Sequence, residues 1–289
     1  MPSPHGPVIG RRRLRGALRR AREGVGLTQE QVVAAMDWSL SKLIRIEAGT
    51  VSVSTNDTKA LLNLYQLTDP AQVDEFVELA RLSRRRTWWS RYRDTLPAGY
   101  LSYLGLEAEA ATIQVFQSSG VPELLQIEAY ARATAAAVAS TTAAVDSTQA
   151  ETWQSIRLHR QRDLFSRPRP VRIEVVLDEA VLHRQTGGPT CLREQLLHLA
   201  ARCDSDDIAI QVLPFSADDY APQPPFTLLR FADPEDADVV YRDGVLVDDF
   251  IDRPETVAPY RRAFRRLQKL SLSRAESHSL IEKIAGEFS

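Results

Sequence analysis

Between Leu27 and Gly49 the chain twice starts a helix and leaves each only about two turns, a pattern that constrains the first eighty residues more than any other feature. Thr28 is a good N-cap, and Gln31 stands three places on, the spacing of a capping box. Val32, Val33 and Met36 face one way. Asp37-Trp38-Ser39 interrupts the pattern. Ser39 then caps a third helix, Leu40 to about Glu47, with Leu43 and Ile46 inward and Gly49 just past its end. Two short helices with a tight turn between them make a helix-turn-helix.

The flanking residues supply a bundle around this pair. Leu14, Ala17, Leu18 and Ala21 form an apolar stripe on a helix from about Gly10 to Glu23, with Arg11, Arg12, Arg15, Arg19 and Arg22 on the opposite face. Gly24-Val25-Gly26 ends it. Leu61, Leu62, Leu64 and Tyr65 mark a fourth helix. Asp69-Pro70, an N-cap followed by proline at the first helical position, starts a fifth with Val73, Phe76, Val77 and Ala80 on its buried face. Charge is divided along the chain. The net value over 289 residues is −2, yet residues 1–93 carry 16 Lys+Arg against 9 Asp+Glu, and the remainder 20 against 29. A basic head on an acidic body is the asymmetry expected if one end meets a polyanion. The second helix of a helix-turn-helix lies in the major groove with its N-terminal residues at base edges, and free N–H groups at both helix starts can donate to phosphates.

Leu27-Thr28-Gln29-Glu30-Gln31-Val32-Val33, Trp38-Ser39 and Ser41-Lys42-Leu43-Ile44-Arg45-Ile46-Glu47-Ala48-Gly49 resemble the XRE/Cro-repressor family of helix-turn-helix domains. The resemblance implies a mainly α, lambda-repressor-like bundle over residues 1–83. It also implies a DNA-binding site made of Thr28, Gln29, Ser39, Leu40, Ser41, Lys42 and Arg45. Gln29 would contact backbone phosphate and brace the recognition helix. Leu40, Ser41 and Arg45 would face base edges, and Lys42 and the Ser39 hydroxyl would hold phosphates. Arg45 can pair bidentately with guanine, and Leu40 can pack on a thymine methyl. Glu47 is expected to bond back to the scaffold helix. Two positions depart from the family. Asp37 stands where Gly is usual, although Asp tolerates left-handed backbone, and Ile44 stands at a position usually small or polar. A helical bundle without DNA is the competing reading of the two-helix pattern.

Residues 84–103 read as a junction. Arg84-Arg85-Arg86 and Trp88-Trp89-Ser90-Arg91-Tyr92-Arg93 suit either nucleic-acid stacking or a linker whose Trp pair docks against a neighbouring domain. From 104 to 289 the pattern predicts an α+β domain with a mixed sheet of four to five strands. A helix with Leu104, Leu106, Ala110 and Ile113 leads into Val115-Phe116, and another runs from about Glu123 to Ala139. A third ends at Phe165. Strands follow at Val171–Leu177, Ile208–Leu213 and Phe226–Phe231. A hairpin at Asp243-Gly244 joins Val239–Arg242 to Val245–Val247. Helices lie at 178–184, 190–202, 255–269 and 274–286.

This region, through Tyr103–Ala110, Val121–Gln126, Tyr130–Ala133, Val176–Ala180, Ile210–Phe215 and Pro225–Phe231, resembles a large bacterial family. Its members join an XRE-type domain to a C-terminal domain of uncertain function and are described as antitoxin-like transcriptional regulators. Glu123 departs from the usual Gly after Val-Pro. The resemblance implies a small protein partner encoded nearby. Helix-turn-helix domains of this type usually work as dimers, so a homodimer formed through the C-terminal domain is expected; a ligand-sensing C-terminal domain is the alternative.

Catalytic constellations are missing from the sequence, so an enzyme, a metal site and a cofactor are not expected. Cys191 and Cys203 lack a Cys-x-x-Cys pattern and read as buried helix thiols. His159 and Asp163 read as a surface pair. The 14 Asp/Glu against 3 Arg in residues 204–255 read as an acidic solvated face, with Asp218-Asp219 and Asp248-Asp249 lacking the ligand spacing of a calcium loop. Pro214 to Pro225 suits a lid or a connector equally. No apolar run approaches the roughly 20 residues of a membrane span, and a cytoplasmic location is expected.

Overall fold

The structure, a computed structural model, describes residues 6–142, 147–167, 170–242 and 249–288, with the backbone alone at 139–142 and 147–151. It divides into two compact units after Glu109.

The first unit is helical: α1 (Pro7–Gly24), α2 (Gln29–Met36), α3 (Leu40–Glu47), α4 (Thr55–Leu64), α5 (Pro70–Ser83), a 3-10 turn at Trp88–Tyr92 and α6 (Ala98–Glu107). The helix starts follow their caps. Ser54 Oγ accepts from Asp57 N at 3.0 Å ahead of α4, and Asp69 Oδ2 from Gln72 N at 3.0 Å ahead of α5. Leu14, Leu18, Val32, Leu43, Ile46, Leu61 and Ala80 meet in one core fed by α1 to α5. The start of α1 is closed from far along the chain: the Glu109 carboxylate accepts from Val8 N at 2.7 Å and from Ile9 N at 2.8 Å. This satisfies orphan N–H groups of the first turn. A Cβ on Gly6 would fall 2.2 Å from Glu109 Cδ, so a side chain there would push the clasp open. The Trp88 and Trp89 rings meet edge to face at 5.5 Å, and Trp89 lies over Gly105 of α6. The tandem Trp therefore packs inside the first unit.

The second unit carries β1 (Thr112–Gln117), α7 (Glu128–Thr142), α8 (Ser147–Phe165), β2 (Arg172–Asp178), α9 (Ala180–His183), α10 (Pro189–Cys203), β3 (Ile208–Leu213), β4 (Phe226–Arg230), β5 (Val239–Arg242), β6 (Asp249–Ile251), α11 (Pro254–Leu270) and α12 (Arg274–Glu287). Among the described residues the strands form one six-stranded mixed sheet in the order β3-β2-β1-β4-β5-β6. β1, β2 and β3 are parallel, with Val115, Val175 and Ile210 in register; β4, β5 and β6 each run antiparallel to the strand before them in the sheet. On one face Phe116, Val176, Phe226 and Leu228 pack under Val257, Phe264 and Leu267 of α11.

A helical head followed by a mixed α/β region agrees with the sequence pattern, but the sheet has six strands where four or five were expected. Two strands are additions: β1, which the sequence pattern reads as the tail of a helix, and β6 (Asp249–Ile251), which begins two residues past the expected Val245–Val247 arm. Ala110 and Ile113 fall at helical spacing after Leu106, which made the pattern ambiguous. Burial between β2 and β4 decides it, since a central strand is apolar on both faces. α7 starts at Glu128 and not at Glu123, because the backbone before it is tied down by glutamines. Gln195 Oε1 accepts from Ile127 N and its Nε2 donates to Leu125 O, both at 2.8 Å, and Gln126 Nε2 donates to Val121 O at 2.8 Å. Glu123 itself takes a partner, the buried Arg160 guanidinium of α8. The Asp243-Gly244 hairpin turn, the Val245–Val247 arm and Asp248 lie outside the described residues.

Candidate nucleic-acid interface

α2 and α3 are eight residues each, too short to persist alone. Their ends are fixed locally. Thr28 Oγ1 accepts from Gln31 N at 3.2 Å while Gln31 Oε1 accepts from Thr28 N at 2.8 Å, a complete capping box. Asp37 takes the left-handed conformation, φ 54° and ψ 48°, that ends α2. Ser39 Oγ accepts from Lys42 N at 3.3 Å to start α3. Gly49, φ 73°, closes it; a Cβ there would meet Arg15 Cδ at 2.8 Å.

Their mutual orientation is fixed by a charged brace. Arg22 of α1 donates Nε to Glu47 Oε1 at 2.7 Å and a second nitrogen to Glu47 Oε2 at 3.2 Å. Its remaining nitrogen reaches Leu27 O at 2.8 Å. Gln29 of α2 donates Nε2 to Glu47 Oε2 at 2.7 Å. The carboxylate thus joins three helices. With the pair's side chains about 10% and 8% exposed, the bidentate geometry counts for far more than a surface ion pair.

The brace corrects one reading and accounts for another. Arg22 does not share the solvated basic face of α1; it is buried. Its place one turn after Leu18 is the signal that puts it at the edge of the apolar stripe. Gln29 spends its amide on Glu47, which is the bracing expected of it. Lys42 has partners within the unit. Its ammonium sits 3.6 Å over the Trp38 ring and 3.4 Å from Asp57 Oδ2, tying α3 to α4.

The outward face of α3 presents Leu40, Ser41, Ile44 and Arg45, all exposed, opposite the buried Leu43 and Ile46. The Arg45 guanidinium has no hydrogen-bond or ion-pair partner among the described residues. Beside α3 runs an open groove of about 600 Å³, with Arg19, Gln29, Glu30, Ile44, Glu47 and Ala48 among its lining. Sequence reasoning gave Ile44 no role, although its exposure follows from standing one turn after Leu40.

Among its described residues the second unit offers no comparable constellation. Among the described residues no three His, Cys, Asp or Glu side chains gather as metal ligands. Cys191 and Cys203 are half-buried free thiols; burial pushes Cys203 up to about 11 and raises Cys191 too. Asp163 pairs with Arg167 at 3.5 Å rather than with His159. The acidic stretch is only partly a solvated face: Asp238 is buried and pairs with Arg261 at 2.7 Å and Arg230 at 3.3 Å. In the loop from Pro214 to Pro225, Ala217 and Tyr220 pack against the α11 core. Phe215 stays 67% exposed with its ring stacked on His183. No helix in the described residues is long and apolar enough to cross a membrane.

Residues 13–76 match a family described as a helix-turn-helix domain, and residues 100–283 match one described as a domain of unknown function (DUF5753). No curated protein and no solved structure matches the chain.

Proposed function

We propose, from the premise that the chain belongs to the family of that C-terminal domain of unknown function, that it is a sequence-specific transcriptional regulator of XRE/Cro type with α3 as its reading helix. The helix-turn-helix domain makes it a DNA-binding regulator. The observation that carries the finer reading is the division of α3 into two faces. Its inner side chains are buried and its one acid is locked into the brace, while Leu40, Ser41 and the unpaired Arg45 stand outward.

In this reading Arg45 supplies the base discrimination, because a guanidinium matches O6 and N7 of guanine. Ser41 stands beside Arg45 at base edges, while Ser39 and the start of α2 at Thr28 and Gln29 supply phosphate contacts that fix register without reading sequence. Lys42 adds a phosphate contact through the ammonium donors that Asp57 does not use. The protein works as a homodimer through residues 110–289, reading half-sites about 34 Å apart. It is antitoxin-like, receives a small protein partner on that second unit, performs no catalysis and acts in the cytoplasm.

Anisotropy of labelled DNA from the gene's own upstream region, against scrambled DNA over a salt series, tests the reading. Specific binding with a steep salt slope, and loss of discrimination in Arg45→Ala, is the expected result. Equal weak binding to both DNAs would refute an operator at that locus.

A further inference from the structure

Leu40 and Ile44 are among the exposed large apolar side chains of the described residues, 39% and 46% exposed, and they stand one helical turn apart on the outward face of α3. Ala48, also exposed, continues the stripe. The neighbouring stripe carries Ser41 and Arg45. The only acid of α3, Glu47, is turned away into its bonds with Arg22 and Gln29. The outward side chains of α3 itself are therefore apolar and cationic, with Glu30 of α2 across the adjoining groove, and an apolar and cationic helix face complements base edges within a polyanion. The major-groove edge of DNA offers one apolar group, the C5-methyl of thymine.

We propose that Ile44, together with Leu40, is a specificity-determining residue that reads thymine methyl groups, so that each half-site holds two methyl-dependent thymines beside the guanine read by Arg45. Four residues of helix rise about 6 Å, which covers about two base steps of 3.4 Å, so the two thymines lie one to two steps apart. This rests on the DNA-reading role of α3 and adds the chemical feature that role selects.

The test starts from the full chain and a random duplex library. Each thymine of the enriched half-site is then replaced by deoxyuridine, which removes the methyl and keeps the pairing. The wild type is expected to weaken about three- to tenfold at each of two thymines, the scale of one buried methyl. Ile44→Ala is expected to lose methyl sensitivity at one of them and Leu40→Ala at the other. Both side chains are exposed, so the variants should keep the wild-type thermal melt. Specific binding with no methyl-sensitive thymine would overturn this inference alone, as would sensitivity that survives in both variants. An effect of the two variants on self-association only would assign the face to a second copy and overturn it as well. A library in which nothing is enriched would overturn it together with the reading beneath it.

Discussion

The two units solve the problem of orientation with different physics. In residues 110–289 the sheet is positioned by apolar burial: Phe116, Val176, Phe226 and Leu228 meet Phe264 and Leu267 with almost no exposed surface. In the first unit the decisive elements, α2 and α3, are short, and their relation is set by one buried carboxylate that collects Arg22 and Gln29. Apolar packing is strong and non-directional; a bidentate ion pair is directional and costly to break. The contrast teaches why α3 can leave a whole face outward. Its back is held by two core side chains and a brace, so its front is not needed for stability.

The contrast can be broken by substitution. The largest effect is expected in the sheet unit, where Phe264→Ala should cost about 3–5 kcal/mol, the scale for a fully buried ring, read by urea unfolding. Glu47→Ala should cost about 3 kcal/mol by leaving Arg22 buried without its partner. If the brace is what orients α3, the variant should also lose DNA discrimination, and a paired Arg22→Met, Glu47→Leu change should restore stability without restoring it. A loss below about 1 kcal/mol, the ceiling for surface pairs, would show that the brace behaves as one of them.

A third prediction concerns alkaline pH. Burial first, and then the Glu47 charge, push the Tyr65 phenol up to about 12 from its ordinary 10.0. The folded state holds the proton more tightly, so this contribution is complete below about pH 10 and is lost as pH rises toward 12. The melting temperature of the first unit should fall across that window, and Tyr65→Phe should flatten the fall. The smallest effect is expected for Thr28→Ala, about 1 kcal/mol for one cap. It should appear as faster amide exchange at the start of α2 and leave the second unit unchanged.

Much of the first unit was legible because its signals are local. Thr28 with Gln31, Ser39, Asp69-Pro70 and the left-handed Asp37 each announce a helix boundary through their own side chain or backbone preference. The brace was half legible: Glu47 was readable as a bond back to α2, but Arg22 looked like one more cation on a basic face. Lys42 could not be placed from sequence, because Trp38 and Asp57 reach it from two other segments. In the second unit the missed elements all depend on distant partners. β1 is a strand because β2 and β4 flank it. Residues 121–127 stay outside α7, with only a 3-10 turn at Glu123–Leu125, because Gln195, nearly seventy residues on, bonds their backbone. Asp238 leaves the acidic face because Arg261 meets it.

Hydrogen exchange of the full chain with and without its enriched operator duplex tests the central claim most directly. Protection should appear at the start of α2, about residues 28–31, and along α3 from Ser39 to Ala48, with the strands at 112–117, 172–178 and 208–213 unchanged. Protection of those strands with α3 exchanging as in the free protein would contradict the account and place the DNA on the other unit.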